Sequence, residues 1–210
     1  MSNRSVGIGL LLAVVATSFY LYVLVNMLER KAATDPLTGL LNRSSFEYII
    51  GQVVGKPSEH YSALLLIDLD GFKEVNDVLG HAAGDDLLQN FASNLASLGS
   101  QGDAIARLGG DEFAFFIRQA REKAAIEAVA ERVHRAIASV KLASPCPLKV
   151  TASVGACMLQ LTGSTERPAV KKVLQKADYA MYSAKMGGQG QTVFWDDRWL
   201  LNLPGQVFPH

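Results

Sequence analysis

The stretch that most limits how this chain folds is SALLLIDLD, residues 62–70. It is a short, continuous apolar run closed by two acids, with Pro57 before it and Gly71 after it. A run of that length between breakers reads as a strand covered on both faces, so it predicts the centre of a sheet with packing above and below. Asp68 and Asp70 then stand at the end of that strand. A second stretch, ARLGGDEFAFF (106–116), sets two glycines and two acids between apolar runs. Gly109-Gly110 is a hairpin signal, because tight hairpin turns need positive φ, and it predicts strands over 104–108 and 112–117. Taken alone, Asp111 and Glu112 read as an exposed acidic tip of the kind that keeps turns soluble.

Around these two stretches the apolar residues recur at helical spacing. Phe46, Ile49, Ile50 and Val53 mark a helix over 43–54, and Leu87, Leu88, Phe91, Leu95 and Leu98 mark another over 85–98. A third runs over 122–140 with Ile126, Val129, Val133 and Ile137 on one side, and a fourth over 170–185 is ended by GGQG. LKVTASVGACML (148–159) and TVFW (192–195) read as strands. The order helix, strand, helix, two hairpin strands, helix, strand, helix, strand predicts an α+β or mixed-sheet domain with helices packed on the sheet.

Composition matters most at the N-terminus. The chain is 49% hydrophobic, and residues 5–28 contain no Asp, Glu, Lys or Arg. As a helix that segment would cover the roughly 30 Å of a bilayer's hydrocarbon core. It is followed by ERKAAT instead of a small-residue cleavage site, so a retained transmembrane helix is expected, with a tail at 1–4 and a linker at 29–34. Arg30 and Lys31 against Arg4 favour a cytoplasmic C-terminal side, hence a single-pass protein of the inner (cytoplasmic) membrane. Gly9, Ala13 and Thr17 give that helix one small face suited to dimerisation. Net charge is zero with Lys and Arg scattered, so no basic stripe points to nucleic acid. Cys146 and Cys157 lack metal-ligand spacing and read as reduced, space-filling thiols. The tail 196–210 carries no assignment.

If the hairpin lies beside the central strand, Asp68, Asp70, Asp111 and Glu112 converge. Such carboxylates repel one another in low dielectric unless a cation lies between them, and Mg2+ (or Mn2+) prefers oxygen ligands shared with substrate phosphates. Directly after Asp70, Gly71 and Phe72 open a helix whose free N–H groups suit phosphate oxygens, and Lys73 adds a point charge. Gly110 leaves room for a ligand to approach the turn. These features suit a nucleoside triphosphate.

The blocks DPLTGLLNR, DLDGFKEVND, GHAAGDD, RLGGDEF, TASVG and ADYAMYSAK, in this order over residues 34–195, resemble the GGDEF diguanylate cyclase family. The resemblance implies a palm-like nucleotidyl-cyclase domain over 35–195, with a central, mostly antiparallel sheet flanked by helices. It implies condensation of two GTP into cyclic di-GMP and two pyrophosphates across a homodimer. It puts a metal on Asp68, Asp111 and the carbonyl of Leu69, and makes Asp111, Glu112 and Lys73 catalytic. Which of Asp111 and Glu112 takes the proton from the attacking 3′-hydroxyl stays open.

Asn76 and Asp85 fall on guanine-reading positions. A carboxylate accepts from guanine N1–H and N2–H2, which adenine does not present, so Asp85 favours GTP over ATP. His81 would line the same pocket, Gly71, Phe72 and Gly110 would bring backbone to the phosphates, and Lys185 would meet them with charge. Asp35 and Arg43 match positions thought structural and stay outside the site.

Two departures stand out. Gln189 replaces an Arg that would face the γ-phosphate, a loss on the order of 1.5 to 3 kcal/mol in binding. Ser100 replaces the Arg of the family's R-x-x-D inhibitory motif while Asp103 remains, so that site is degenerate and strong product inhibition is not expected. The alternative reading is a catalytically weak or inactive module that binds GTP or a protein partner at a membrane.

Overall fold

The computed structural model describes residues 12, 15–21, 33–54, 60–142, 148–160 and 170–197. Its centre is the strand expected there: β1 (Tyr61–Asp70) is buried from Ser62 to Asp70. The other elements are α1 (Arg43–Val53), α2 (Phe72–Leu79), α3 (His81–Leu98), β2 (Ala104–Gly109), β3 (Glu112–Ala120), α4 (Lys123–Ala138), β4 (Thr151–Gln160), α5 (Val170–Met186) and β5 (Thr192–Phe194). The sheet order is β2-β3-β1-β4-β5. β1 runs antiparallel to both β3 and β4, β2 and β3 form the hairpin, and β5 joins β4 in parallel.

The unbroken apolar run of β1 has a simple cause. Successive strand side chains point to opposite faces, and both faces are covered. Ala63, Leu65, Ile67 and Leu69 enter a core with Leu87, Leu88 and Phe91 of α3 and Ile126 and Val133 of α4. Leu64 and Leu66 enter the other core, with Phe46 and Ile50 of α1 and Val173, Ala177 and Met181 of α5. Asp68 falls in phase with Leu64 and Leu66, so it emerges where that second layer ends.

Local chemistry sets several boundaries. Asn42 caps α1 by accepting from Ser45 N at 3.0 Å. The helix expected over 85–98 starts four residues earlier, and a separate α2 precedes it, with Gly80 at φ 85° dividing the two. α5 lies hard against β4 at Gly155, where a Cβ would sit 2.1 Å from Ala177 O and Met181 N. Only a glycine lets the helix that carries Asp178 and Lys185 approach so closely.

The membrane expectation is corrected. Within residues 5–28 only residue 12 and residues 15–21 are described; they are helical and exposed. No helix of the described residues is long and apolar enough to cross a membrane, which overturns the single-pass, inner-membrane assignment. Gly9, Ala13, Cys146, the 1–4 tail and most of the C-terminal tail lie outside the described residues. Cys157 is a free, buried thiol whose pKa burial pushes up to about 11.

Candidate active site

The hairpin does lie beside the central strand. Asp68 is the register partner of Glu112, and Leu69 N donates to Asp111 O at 3.3 Å. The turn between them uses Gly109 at φ 149° and Gly110 at φ 53°, and a Cβ on either would meet nothing within 4 Å. That clearance suits the close approach of a ligand.

Arg107 braces the turn by donating to Gly110 O from Nε at 2.9 Å and from Nη2 at 2.7 Å. Arg107 is itself paired with Asp35 at 3.2 Å. Burial works to raise the Asp35 pKa, but two hydrogen bonds from Thr38 and the Arg107 guanidinium outweigh it and hold it below its ordinary value. Asp35 thus supports the hairpin from outside, as expected.

Asp68 is buried, and burial raises its pKa despite the nearby Lys185; the charges of Asp111 and Asp70 push it further the same way. Lys185 Nζ lies 2.7 Å from Asp68 Oδ2. Burial disfavours that ammonium, yet the hydrogen bond to Asp68 and the charges of Asp68, Asp111 and Asp70 prevail and raise the Lys185 pKa. The backbone thus brings Asp68, Asp111, Glu112 and Lys185 to one place from three separate elements and a turn.

Asp70 behaves differently from what its spacing suggested. Its carboxylate accepts from Thr151 Oγ1 at 2.8 Å, Ser153 Oγ at 2.7 Å and Gly190 N at 3.0 Å. Those donors engage both oxygens, so Asp70 ties β1 to β4 and to the loop after α5. Asp70 is tied off on the β4 side, although its charge still acts on Asp68 and Lys185.

Two residues absent from the expected site belong to it. Arg43 donates from Nη2 to Glu112 Oε2 at 3.3 Å and from Nε to Leu108 O at 3.4 Å. Burial raises the Glu112 pKa, Arg43 opposes that, and the charges of Asp68, Asp178 and Asp111 reinforce it. Asp178 on α5 also has a raised pKa, chiefly from burial, partly offset by Lys185 and Arg43. Arg43, Glu112 and Asp178 line a pocket of about 590 Å³ together with Leu66, Leu108 and Met181. Arg43 lies in the DPLTGLLNR block, where it reads as structural, and Asp178 lies in the ADYAMYSAK block, where nothing singles it out.

On the other side of the β1 terminus, α2 and α3 bring the guanine candidates together. A Cβ on Gly84 would lie 2.1 Å from Asn76 Oδ1 and 3.3 Å from the Phe72 ring, so Phe72 and Asn76 lie over the turn that ends in Asp85. Gly71 starts α2 at φ 82°, directly after Asp70. Lys73, His81 and Asp85 are exposed around this corner. Gln189 is exposed at φ 63°, the one non-glycine with positive φ among the described residues. At the degenerate motif, Asp103 accepts from Ser100 N and from Arg118 N, each at 2.9 Å.

Among the described residues no three His, Cys, Asp or Glu side chains form a metal cage. Asp68 and Asp111 with the Leu69 carbonyl are a smaller set of oxygen donors, which suits Mg2+ or Mn2+, ions commonly held by one or two carboxylates together with substrate phosphates. Asp68 already demands a positive partner, which Lys185 supplies.

A mixed sheet with acids at the end of its central strand, an adjoining acidic hairpin and helices on both faces defines a palm-like α+β domain. The chain belongs to the family described as "Diguanylate cyclase, GGDEF domain", whose profile matches residues 32–191. It is 35% identical over 177 residues to the probable diguanylate cyclase DgcE of Escherichia coli, covering 82% of this chain and 16% of that protein. It is 36% identical over 166 residues to the diguanylate cyclase TpbB of Pseudomonas aeruginosa, covering 78% of this chain and 37% of that protein. The chain therefore spans well under half the length of these relatives. Its structure resembles that of the coiled coil and GGDEF domain of DgcB from Caulobacter crescentus, crystallised with c-di-GMP. The TM-score is 0.78 at 26% identity, covering 89% of this chain and 97% of that one.

Proposed function

We propose that this chain is a diguanylate cyclase that condenses two GTP molecules into cyclic di-GMP and two pyrophosphates, each domain of a homodimer presenting one substrate. The observation that carries this reading is the pairing of Asp68 with Glu112 across β1 and β3, beside Lys185 and the open glycine turn. Asp68, Asp111 and the Leu69 carbonyl would hold Mg2+ or Mn2+, which when bound stabilises the charge that develops at the attacked α-phosphate.

The chain's own residues do the rest. Asn76 and Asp85 orient guanine, with Phe72 and His81 lining that corner. Gly71 and Phe72 donate backbone N–H groups to phosphate oxygens at the start of α2, and Lys73 and Lys185 add charge there. Glu112 accepts the proton of the 3′-hydroxyl: Asp111 is committed to the cation, whereas Arg43 holds Glu112 toward the pocket. Asp103, its oxygens already engaged by backbone N–H groups, and Ser100 make a poor site for the product.

A second reading, a GTP-binding or interaction module with little catalysis, is favoured by the exposed Gln189 in place of an arginine. Incubating the full chain with GTP and Mg2+ and detecting cyclic di-GMP by mass spectrometry separates the two. Absence of product, even from artificially dimerised protein, selects the module. Product from ATP at a comparable rate would remove the guanine assignment.

A further inference from the structure

Asp68 and Asp70 both hold the end of α5 to the central strand, through bonds of different kinds. Asp70 uses neutral donors, among them Gly190 N at 3.0 Å in the loop that follows the helix. Asp68 uses a charge: Lys185 Nζ at 2.7 Å. The Asp68 carboxylate is 9% exposed while the Lys185 side chain is 38% exposed, so the ammonium covers the buried anion from the solvent side. The chain beyond Lys185 is anchored independently by the Gly190–Asp70 bond, and Gln191 Nε2 also donates to Ala184 O at 3.0 Å. Moving the Lys185 side chain therefore leaves the end of α5 in place.

A divalent cation at Asp68 competes with Lys185 for the same small, buried carboxylate, and two cations brought that close together repel one another strongly where little water screens them. We propose that Lys185 is an exchangeable counter-ion: it neutralises Asp68 until a divalent cation binds, then is displaced and takes a triphosphate as its new partner. This rests on the reading of Asp68 as a metal ligand. Metal alone must break an ion pair and leave the ammonium without a partner, whereas metal with nucleotide re-pairs it. Cation and triphosphate therefore bind with positive coupling, and Lys185 is the positioning residue that transmits it.

Titration of the full chain with Mn2+, read by electron paramagnetic resonance without nucleotide, tests this. Lys185→Gln is expected to bind Mn2+ on the order of tenfold tighter than the parent, since a competing charge-assisted hydrogen bond is gone. Lys185→Arg should stay close to the parent. A non-hydrolysable GTP analogue should tighten Mn2+ binding in the parent by a factor that shrinks about tenfold in Lys185→Gln. Thermal melts give a second readout, in which Mn2+ raises the Tm of Lys185→Gln more than that of the parent. Equal or weaker Mn2+ binding by Lys185→Gln, with binding still lost in Asp68→Asn, overturns the exchange and leaves the metal assignment standing. Mn2+ binding that ignores Asp68→Asn overturns both.

Discussion

The two flanks of the β1 terminus are built from similar residue types and behave differently. On the β4 flank, Asp70 is buried and satisfied by two hydroxyls and a backbone N–H, a set with no net charge and no reason to move. On the β3 flank, Asp68, Asp111 and Glu112 face Lys185 and Arg43, both partly exposed, beside an open glycine turn and a pocket. Neutral hydrogen bonds to a buried anion make a permanent joint. Charged partners reached from solvent make one that a ligand can replace. The first flank therefore holds the fold, and the second is where a substrate and its cation can act.

The comparison breaks most visibly at Asp111. Asp111→Ala should cut cyclic di-GMP formation by about a thousandfold with little change in the melting curve, since it removes stabilisation needed mainly as charge develops. Equal loss of fold and activity would mean the β3 flank is structural too. Asp70→Ala should do the opposite, costing about 3 kcal/mol of stability in denaturant titration because Ser153 and Thr151 lose a charged acceptor in a buried setting. A stable Asp70→Ala protein with no activity would move Asp70 into the site.

Smaller effects sharpen the boundary. Arg43→Ala should lower kcat about tenfold at unchanged fold, as Glu112 loses the group that orients it. Asp35→Asn should cost about 1 kcal/mol by weakening the pair with Arg107 that braces the turn. Because the Asp35 pKa is held below its ordinary value of 3.8, its contribution is present above that value. It fades as pH falls through the lowered folded pKa, so parent and Asp35→Asn stabilities should converge in acid when compared by denaturation.

Much of the fold was legible because it follows from local pattern. The buried strand shows as an unbroken apolar run, the hairpin as a glycine pair between apolar runs and the four long helices as a 3.6-residue period, and each formed close to the expected limits except at the start of α3, four residues early. Less legible was the boundary between the helix opened at Gly71 and Phe72 and the one after it, which Gly80 sets at φ 85° with no loop between the two helices. The parallel partnership of β5 with β4 was not legible, since it depends on where α5 returns the chain. Within the site, Asp68 and Asp70 stand two apart on one strand, so their phase could not separate their roles. Arg43, Glu112 and Asp178 lie far apart in the chain, and nothing local announces that they meet.

By itself, the sequence determined that a strand buried on both faces ends in acids, that a glycine turn puts two more acids at a hairpin, and that the family's motifs occur in order. These depend on backbone preferences and side-chain periodicity, which act between near neighbours. Only the tertiary structure decided which carboxylate is spent on β4, which is held by Lys185 and which by Arg43. Hydrogen bonds and ion pairs act over about 3 Å, and the residues within that reach are brought there by the fold.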